Sequence, residues 1–201
     1  MPNSYSFLYP QHATSLYYAL QADPYYLHME RVCTNKNPRE AMRTYMDYSL
    51  QEAETYGKVY LPAEATYGAS IWSVPLSAED MQEKKQGKKT FLKENLGEKA
   101  LEDYLAIGSF MSKQAEALVP PDAWYLSILG IHPDFQNQRL GVGLVQPILD
   151  EADQGGIATY LETFSERNPR FYERLGYRKV GDFYEPTVGA RYRLMVREVG
   201  G

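Results

Sequence analysis

Between Tyr125 and Tyr177 the chain runs twice through the same succession of strand, turn and helix. The first unit, LSILGIHPDFQNQRLGVGLVQPILDEAD, opens with an apolar strand. A proline turn follows, then a polar loop with the spaced glycines Gly141 and Gly143, then an amphipathic helix. The second unit, ATYLETFSERNPRFYERLGY, has a strand, a polar loop and a short helix opened by Asn168-Pro169 and closed by Gly176. Strands alternating with helices in this way predict an α/β fold. A glycine-bearing loop feeding a helix N-terminus also turns several unpaired amides in one direction, which makes a cradle for a diphosphate.

With 201 residues the chain suffices for one domain with a substantial core, and residues 1–201 are read as that one domain. Hydrophobic residues at 44% and charged residues at 23% describe a folded protein rather than a disordered one. A formal net charge of −5 argues against a general nucleic-acid binder, which needs a basic footprint. Cys33 has no second cysteine to pair with, as expected in a reducing compartment. The first residues show no basic start followed by an apolar run, and no stretch approaches a membrane helix. A soluble, cytoplasmic protein is therefore expected. The 18 tyrosines against 7 phenylalanines stand out, since tyrosine suits half-wet pockets; ordinary packing accounts for most of them.

Along the chain, Ser4–Tyr9 reads as a short first strand and Ala13–Gln21 as a helix stopped by Asp23-Pro24. Asn37-Pro38 opens a helix reaching about Glu54, with Met42, Tyr45, Met46 and Leu50 at helical spacing. Lys58–Leu61 and Gly68–Val74 read as strands of a hairpin. Ser77–Leu118 is polar and mostly helical, with breaks expected at Gly87 and Gly97. Its lysines, Lys84, Lys85, Lys88 and Lys89, are flanked by Glu79, Asp80, Glu83 and Glu94 and read as a solvated face. Trp124–Ile131, Tyr177–Tyr184 and Ala190–Glu198 complete the strand candidates.

The first unit resembles the central motif of the GNAT superfamily of N-acetyltransferases, Q/R-x-x-G-x-G/A. Gln138 to Gly143 fits its letters. Counting from the strand-ending Pro133 and from the helix residues Leu144 and Val145 instead places the motif at Gln136-Asn137-Gln138-Arg139-Leu140-Gly141. That register is preferred, because the distance from strand end to helix start is a geometric constraint. It puts Arg139 where the family has its first glycine, a residue that tolerates positive φ. The resemblance implies that Gln136, Asn137, Gln138, Arg139, Leu140, Gly141, Val142 and Gly143 hold the diphosphate of coenzyme A. Leu144, Val145, Ile148, Leu149 and Ala152 form the apolar helix face behind them, and Pro147 should kink that helix.

The second unit carries the family's Asn, then Tyr four residues on, then Gly-Phe, here as Asn168, Tyr172, Gly176 and Tyr177. Asn168 stands at an N-cap position and Pro169 at the first helical position. Phe171 and Leu175 should pack inward and leave the Tyr172 hydroxyl facing a cleft. By resemblance Tyr172 is the general acid that protonates the departing thiolate, and Asn168 contacts the pantetheine arm. The wording from Trp124 to Val180 is closest to puromycin-type N-acetyltransferases, whereas the region before Gly68 is thin. Antibiotic acetylation is therefore not inherited.

The resemblance further implies one GNAT-type domain: a mixed, mostly antiparallel sheet of about six to seven strands flanked by helices. Backbone groups of Leu129 and Ile131 would bind the pantetheine amide and acetyl carbonyl where such sheets splay. Glu162 is a candidate general base, since an amine with a pKa near 10 must lose a proton before it attacks; a structural hydrogen bond serves equally well. Tyr25, Tyr26 and Glu30 are candidate substrate contacts. His12, His28 and His132 lack metal-ligand spacing, so no metal is expected. The expected activity is acetyl transfer from acetyl-coenzyme A to a primary amine of a small molecule, without membrane or nucleic-acid partners and with a homodimer left open. The alternatives are a coenzyme A-binding sensor without catalysis, or a protein- or peptide-directed N-acetyltransferase.

Overall fold

The structure, a computed structural model, describes residues 5–201. Three helices come first: α1 (Pro10–Leu20), α2 (Pro24–Val32) and α3 (Pro38–Tyr56). Each opens on a proline, whose missing N–H would have no intrahelical partner there anyway. Asp23 caps α2 by accepting from the Tyr25 N–H at 2.9 Å, and Asn37 caps α3 by accepting from the Glu40 N–H at 3.3 Å. The Asp23-Pro24 pair that reads as a stop after α1 is thus also the start of α2, a helix the sequence reading leaves out.

The strand expected at Ser4–Tyr9 is not found. Ser4 lies outside the described residues, and Tyr5–Tyr9 is irregular. The buried carboxylate of Asp47 on α3 accepts from the Leu8 N–H at 3.2 Å, the Tyr9 N–H at 2.6 Å and the Tyr5 hydroxyl at 2.9 Å. A side chain satisfies the amides that a strand neighbour would have taken.

β1 (Gly57–Tyr60) and β2 (Gly68–Ser73) form the antiparallel hairpin. Two long helices follow, α4 (Ala78–Asn95) and α5 (Glu98–Glu116). α4 passes through Gly87 unbroken; the break falls at Gly97, where φ is +103°. The rest of the chain alternates: β3 (Trp124–Ile131), α6 (Leu140–Gln154), β4 (Thr159–Thr163), α7 (Pro169–Glu173), β5 (Arg178–Glu185) and β6 (Ala190–Arg197). α6 continues through Pro147 as one helix.

The six strands make one sheet in the order β1-β2-β3-β4-β6-β5. All neighbours are antiparallel except β3 and β4. That parallel pair is short, running only from Trp124 opposite Thr159 to Leu126 opposite Leu161. β3 then continues to Ile131 paired with β2 alone, while β4 continues to Thr163 paired with β6 alone. A wedge therefore opens in the middle of the sheet, and backbone polar groups along its two edges have no strand partner.

One core lies between the sheet and α1 to α4, filled by Leu16, Met29, Met42, Met46, Leu50 and Leu92. A second lies against α6 and α7, filled by Trp72, Val145, Leu149, Leu161 and Met195. Ser70 joins β2 to α6: its hydroxyl donates to the Leu144 carbonyl at 2.6 Å and accepts from Trp72 Nε1 at 3.0 Å.

Arg197 at the end of β6 locks the C-terminal half. It is 4% exposed, and its guanidinium meets Asp153 of α6 in two bonds of 2.7 Å. Its Nε donates to the Leu175 carbonyl just past α7 at 2.9 Å. Arg197→Ala should therefore lower stability by about 2–3 kcal/mol, less than for a fully buried pair because Asp153 is partly exposed. A urea titration checks this as a lower midpoint with unchanged slope; an unchanged midpoint would show that the pair is idle.

Candidate active site

β3 ends at Ile131 and the chain turns through a single 3-10 turn, Pro133–Phe135, into the exposed loop leading to α6. Two side chains brace this loop from within. Gln136 Nε2 donates to the Ile131 carbonyl at 2.9 Å, and Gln138 Nε2 donates to the Asp134 carbonyl at 3.1 Å. Asn137 and Arg139 both adopt φ of 63°, in the left-handed region. For asparagine this is common; for arginine it costs roughly 1–2 kcal/mol. Arg139 thus takes the backbone shape a glycine would have supplied, and it is the residue before the first turn of α6. No side chain caps α6, so its first N–H groups, from Leu140 to Val142, point outward from the helix start. Gly143 has open space where a side chain would stand, and Val142 is exposed. This arrangement fits a diphosphate: uncapped amides at a helix N-terminus, open space beside Gly143, and a nearby guanidinium with no ion pair among the described residues.

The loop and α7 touch. A Cβ on Gly141 would come within 3.1 Å of the Phe171 ring, so the missing side chain lets the two helices close on one another. Phe171 and Leu175 are partly buried against the second core. Asn168 stands at the N-cap of α7 but its side chain makes no capping bond; instead it lines the cavity described next. Gly176 ends the helix with φ of +88°.

That cavity, about 380 Å³, lies over β3 and β4 beneath α2, α3, α4 and α5. Seven tyrosines line it: Tyr25, Tyr26, Tyr45, Tyr104, Tyr125, Tyr160 and Tyr172. Tyr172 is 7% exposed, its ring set edge-on to Phe171 at 5.2 Å and to Tyr177 at 5.9 Å. Its hydroxyl has no hydrogen-bond partner among the described residues, and burial holds its pKa well above the ordinary phenol value. The phenol is neutral and able to donate.

Glu162 enters the same cavity from β4. Burial pushes its pKa up to about 7, against a smaller opposing pull from the Tyr125 hydroxyl. Its Oε1 is buried without a partner among the described residues. A buried carboxyl with an unclaimed oxygen and a pKa near neutrality has the properties of a general base.

The structure brings Leu129, Glu162, Asn168, Tyr172, Tyr25 and Tyr26 to this one cavity. Tyr25 and Tyr26 meet edge-on at 5.0 Å on α2. Glu30 is not among the lining: α2 turns its carboxylate toward α1, where it accepts from the Tyr17 hydroxyl at 3.1 Å. Ile131 lies outside too, at the mouth of the loop, with its carbonyl taken by Gln136. The residues from Gln136 to Gly143 lie outside the cavity, in the mostly exposed loop and first turn of α6. His28, considered as a metal ligand, bonds Asp103 at 2.9 Å and Arg31 at 3.0 Å, tying α2 to α5.

Several lining residues escape the sequence reading: Asp23, Glu52, Lys84 and Lys88. Lys88 is buried rather than solvated, in contact with Glu52 at 3.2 Å and over the rings of Tyr48 at 4.7 Å and Tyr45 at 5.0 Å. A signal existed. Met81, Lys84, Lys88, Phe91 and Leu92 share one face of α4, so two lysines occupy inward positions.

The profile of the Acetyltransferase (GNAT) family matches residues 64–177. The chain belongs to that family. The matched span covers β2, the wedge between β3 and β4, the loop before α6 and all of α7. Among solved structures, the histone acetyltransferase HPA2 and related acetyltransferase from Corynebacterium glutamicum is similar over 100% of this chain and 96% of that one, at 20% identity and TM-score 0.64. Arylalkylamine N-acetyltransferase 2 from Aedes aegypti covers 96% and 94%, at 12% identity and TM-score 0.65. The polyamine N-acetyltransferase of Drosophila melanogaster covers 92% and 94%, at 16% identity and TM-score 0.60. At these identities the likeness is one of fold. The mixed, mostly antiparallel sheet expected from the GNAT resemblance is present with six strands.

Proposed function

We propose that this GNAT protein, acting as one domain over residues 1–201, moves an acetyl group from acetyl-coenzyme A to the primary amine of a small molecule. The observation that carries this reading is the joint placement of Tyr172 and Glu162 in one tyrosine-lined cavity beside the sheet's wedge, with α7 in turn packed on the loop before α6 where Gly141 meets Phe171. Acetyl-coenzyme A is the acyl donor; the loop from Gln136 to Gly143 would hold its diphosphate, and the wedge edge near Leu129 would receive its pantetheine arm. The neutral amine attacks the thioester carbonyl carbon, forming the C–N bond as the C–S bond breaks. Glu162 takes one proton from the ammonium before attack, and the leaving thiolate takes the Tyr172 proton. The tyrosinate recovers a proton from the acylated nitrogen, and Glu162 releases its own to solvent. A thiol is a fair leaving group, so orientation and one well-placed donor supply most of the rate.

The cavity's enclosure by α2 to α5 favours a small acceptor over a protein chain. Fold relatives described as polyamine and arylalkylamine N-acetyltransferases support an amine acceptor. The test pairs calorimetry with acetyl-coenzyme A and a thiol-release assay across amines, amino acids, polyamines and aminonucleosides. Amine-dependent thiol release is the expected result. Binding without release for every amine would instead identify a coenzyme A-binding sensor.

A further inference from the structure

The charged side chains of the cavity are unevenly placed, with both lysines on one side. Its lining holds five: Asp23, Glu52, Lys84, Lys88 and Glu162. Two carboxyl groups accompany the reacting end, where Asp23 lies close enough to raise the pKa of Tyr172 through its charge and Glu162 stands on β4. The two lysines and Glu52 occupy the α3–α4 side. There a single carboxylate serves two ammonium groups. Glu52 Oε2 pairs with Lys88 at 3.2 Å, and Lys88 is further held by the faces of Tyr45 and Tyr48. Lys84 has no carboxylate within ion-pair distance among the described residues; its one bond is a long 3.4 Å contact to Ser73 Oγ. Burial lowers its pKa, a shift that the charge of Glu52 opposes without cancelling.

The strand register sets the distance between the two ends. Ser73 lies opposite Tyr125 on β3, Tyr125 lies opposite Tyr160 on β4, and their rings stack at 4.7 Å. Glu162 is two residues further along β4, on the same face as Tyr160. The Lys84 level and the Glu162 level are therefore separated by two residues along the strands, roughly 7 Å, and by two strand spacings across them, roughly 10 Å, or roughly 12 Å in all. Tyrosine rings fill the walls between them.

Resting on the acetyl-transfer reading above, we infer that the acceptor is an amine bearing a carboxylate at its far end, with the amine at Glu162 and Tyr172 and the carboxylate on Lys84. A plain monoamine leaves Lys84 unmatched. A diamine places a second cation against it.

Three probes of one length separate these cases: 6-aminohexanoate, hexylamine and 1,6-diaminohexane. Each is measured by calorimetry in the presence of coenzyme A and by thiol release with acetyl-coenzyme A. A charge-assisted contact should favour 6-aminohexanoate over hexylamine by about 10- to 100-fold, with the diamine weakest. Lys84→Met should abolish that advantage, and Lys84→Glu should reverse the order in favour of the diamine. Equal or weaker binding of 6-aminohexanoate by the wild-type protein overturns the inference. An advantage that survives Lys84→Met does the same. Because calorimetry needs no turnover, the two readings fail separately. Silence in the thiol assay with the binding order intact removes acetyl transfer but keeps the carboxylate site; brisk transfer to hexylamine and the diamine with no preference for the acid does the opposite.

Discussion

Tyr172→Phe is expected to lower kcat by about 10- to 1,000-fold while leaving acetyl-coenzyme A affinity nearly intact. The substitution is unusually clean here. The phenylalanine ring keeps the edge contacts with Phe171 and Tyr177, and the lost hydroxyl breaks no hydrogen bond among the described residues. Stability should therefore change little, so a drop in rate reports on the proton alone. Single-turnover thiol release gives the rate, and calorimetry gives the affinity. Wild-type turnover in this variant would remove Tyr172 from the mechanism, and a matching fall in affinity would make it a binding residue instead.

Glu162→Gln should reduce kcat/KM by about 100-fold near pH 8 and change the shape of the pH profile. With its pKa pushed up to about 7, wild-type Glu162 loses its basic form as pH falls through neutrality, which gives an acidic limb centred there. Glutamine cannot titrate, so the limb disappears. Stability moves the other way. The folded protein holds this carboxyl's proton more tightly than the unfolded chain, whose ordinary value is 4.5. The carboxyl's contribution is complete below about 4.5 and is lost as pH rises through about 7. Glu162→Gln should accordingly gain stability relative to wild type between pH 5 and pH 8, as thermal melts across that range would show. A profile that keeps its limb in the variant assigns the base to another group.

The elements of the second half were legible because each is fixed by local signals. The apolar run Trp124–Ile131 is a strand end to end, Pro169 opens α7 and Gly176 closes it with the positive φ glycine allows, although Asn168 itself is helical rather than extended. The first half depends on contacts distant in sequence. Asp47 reaches back to the amides of Leu8 and Tyr9, and no pattern within Tyr5–Tyr9 announces that. α2 is hard to read locally because Asp23-Pro24 carries two meanings, an end and a beginning. In the cavity, the place of Tyr172 is legible from its spacing to Asn168 and that of Glu162 from its strand before Asn168, whereas Lys84 and Lys88 are obscured by their neighbours. Their acidic flanks suggest solvent, and only the shared face with Phe91 and Leu92 shows that they point inward. The tyrosine excess was likewise discounted as packing, because the seven rings of the cavity come from six different elements.

The parting of β3 and β4 has a cost and a use. Had the two strands stayed zipped to their ends, several more ladder bonds would have formed and the sheet would have been an unbroken partition between its faces. By letting them diverge after Leu126 and Leu161, the fold gives up part of its own cohesion and leaves an opening in mid-sheet, the one the proposed reaction would use. Any change that tightened this seam would make a sturdier sheet and close the opening at its middle.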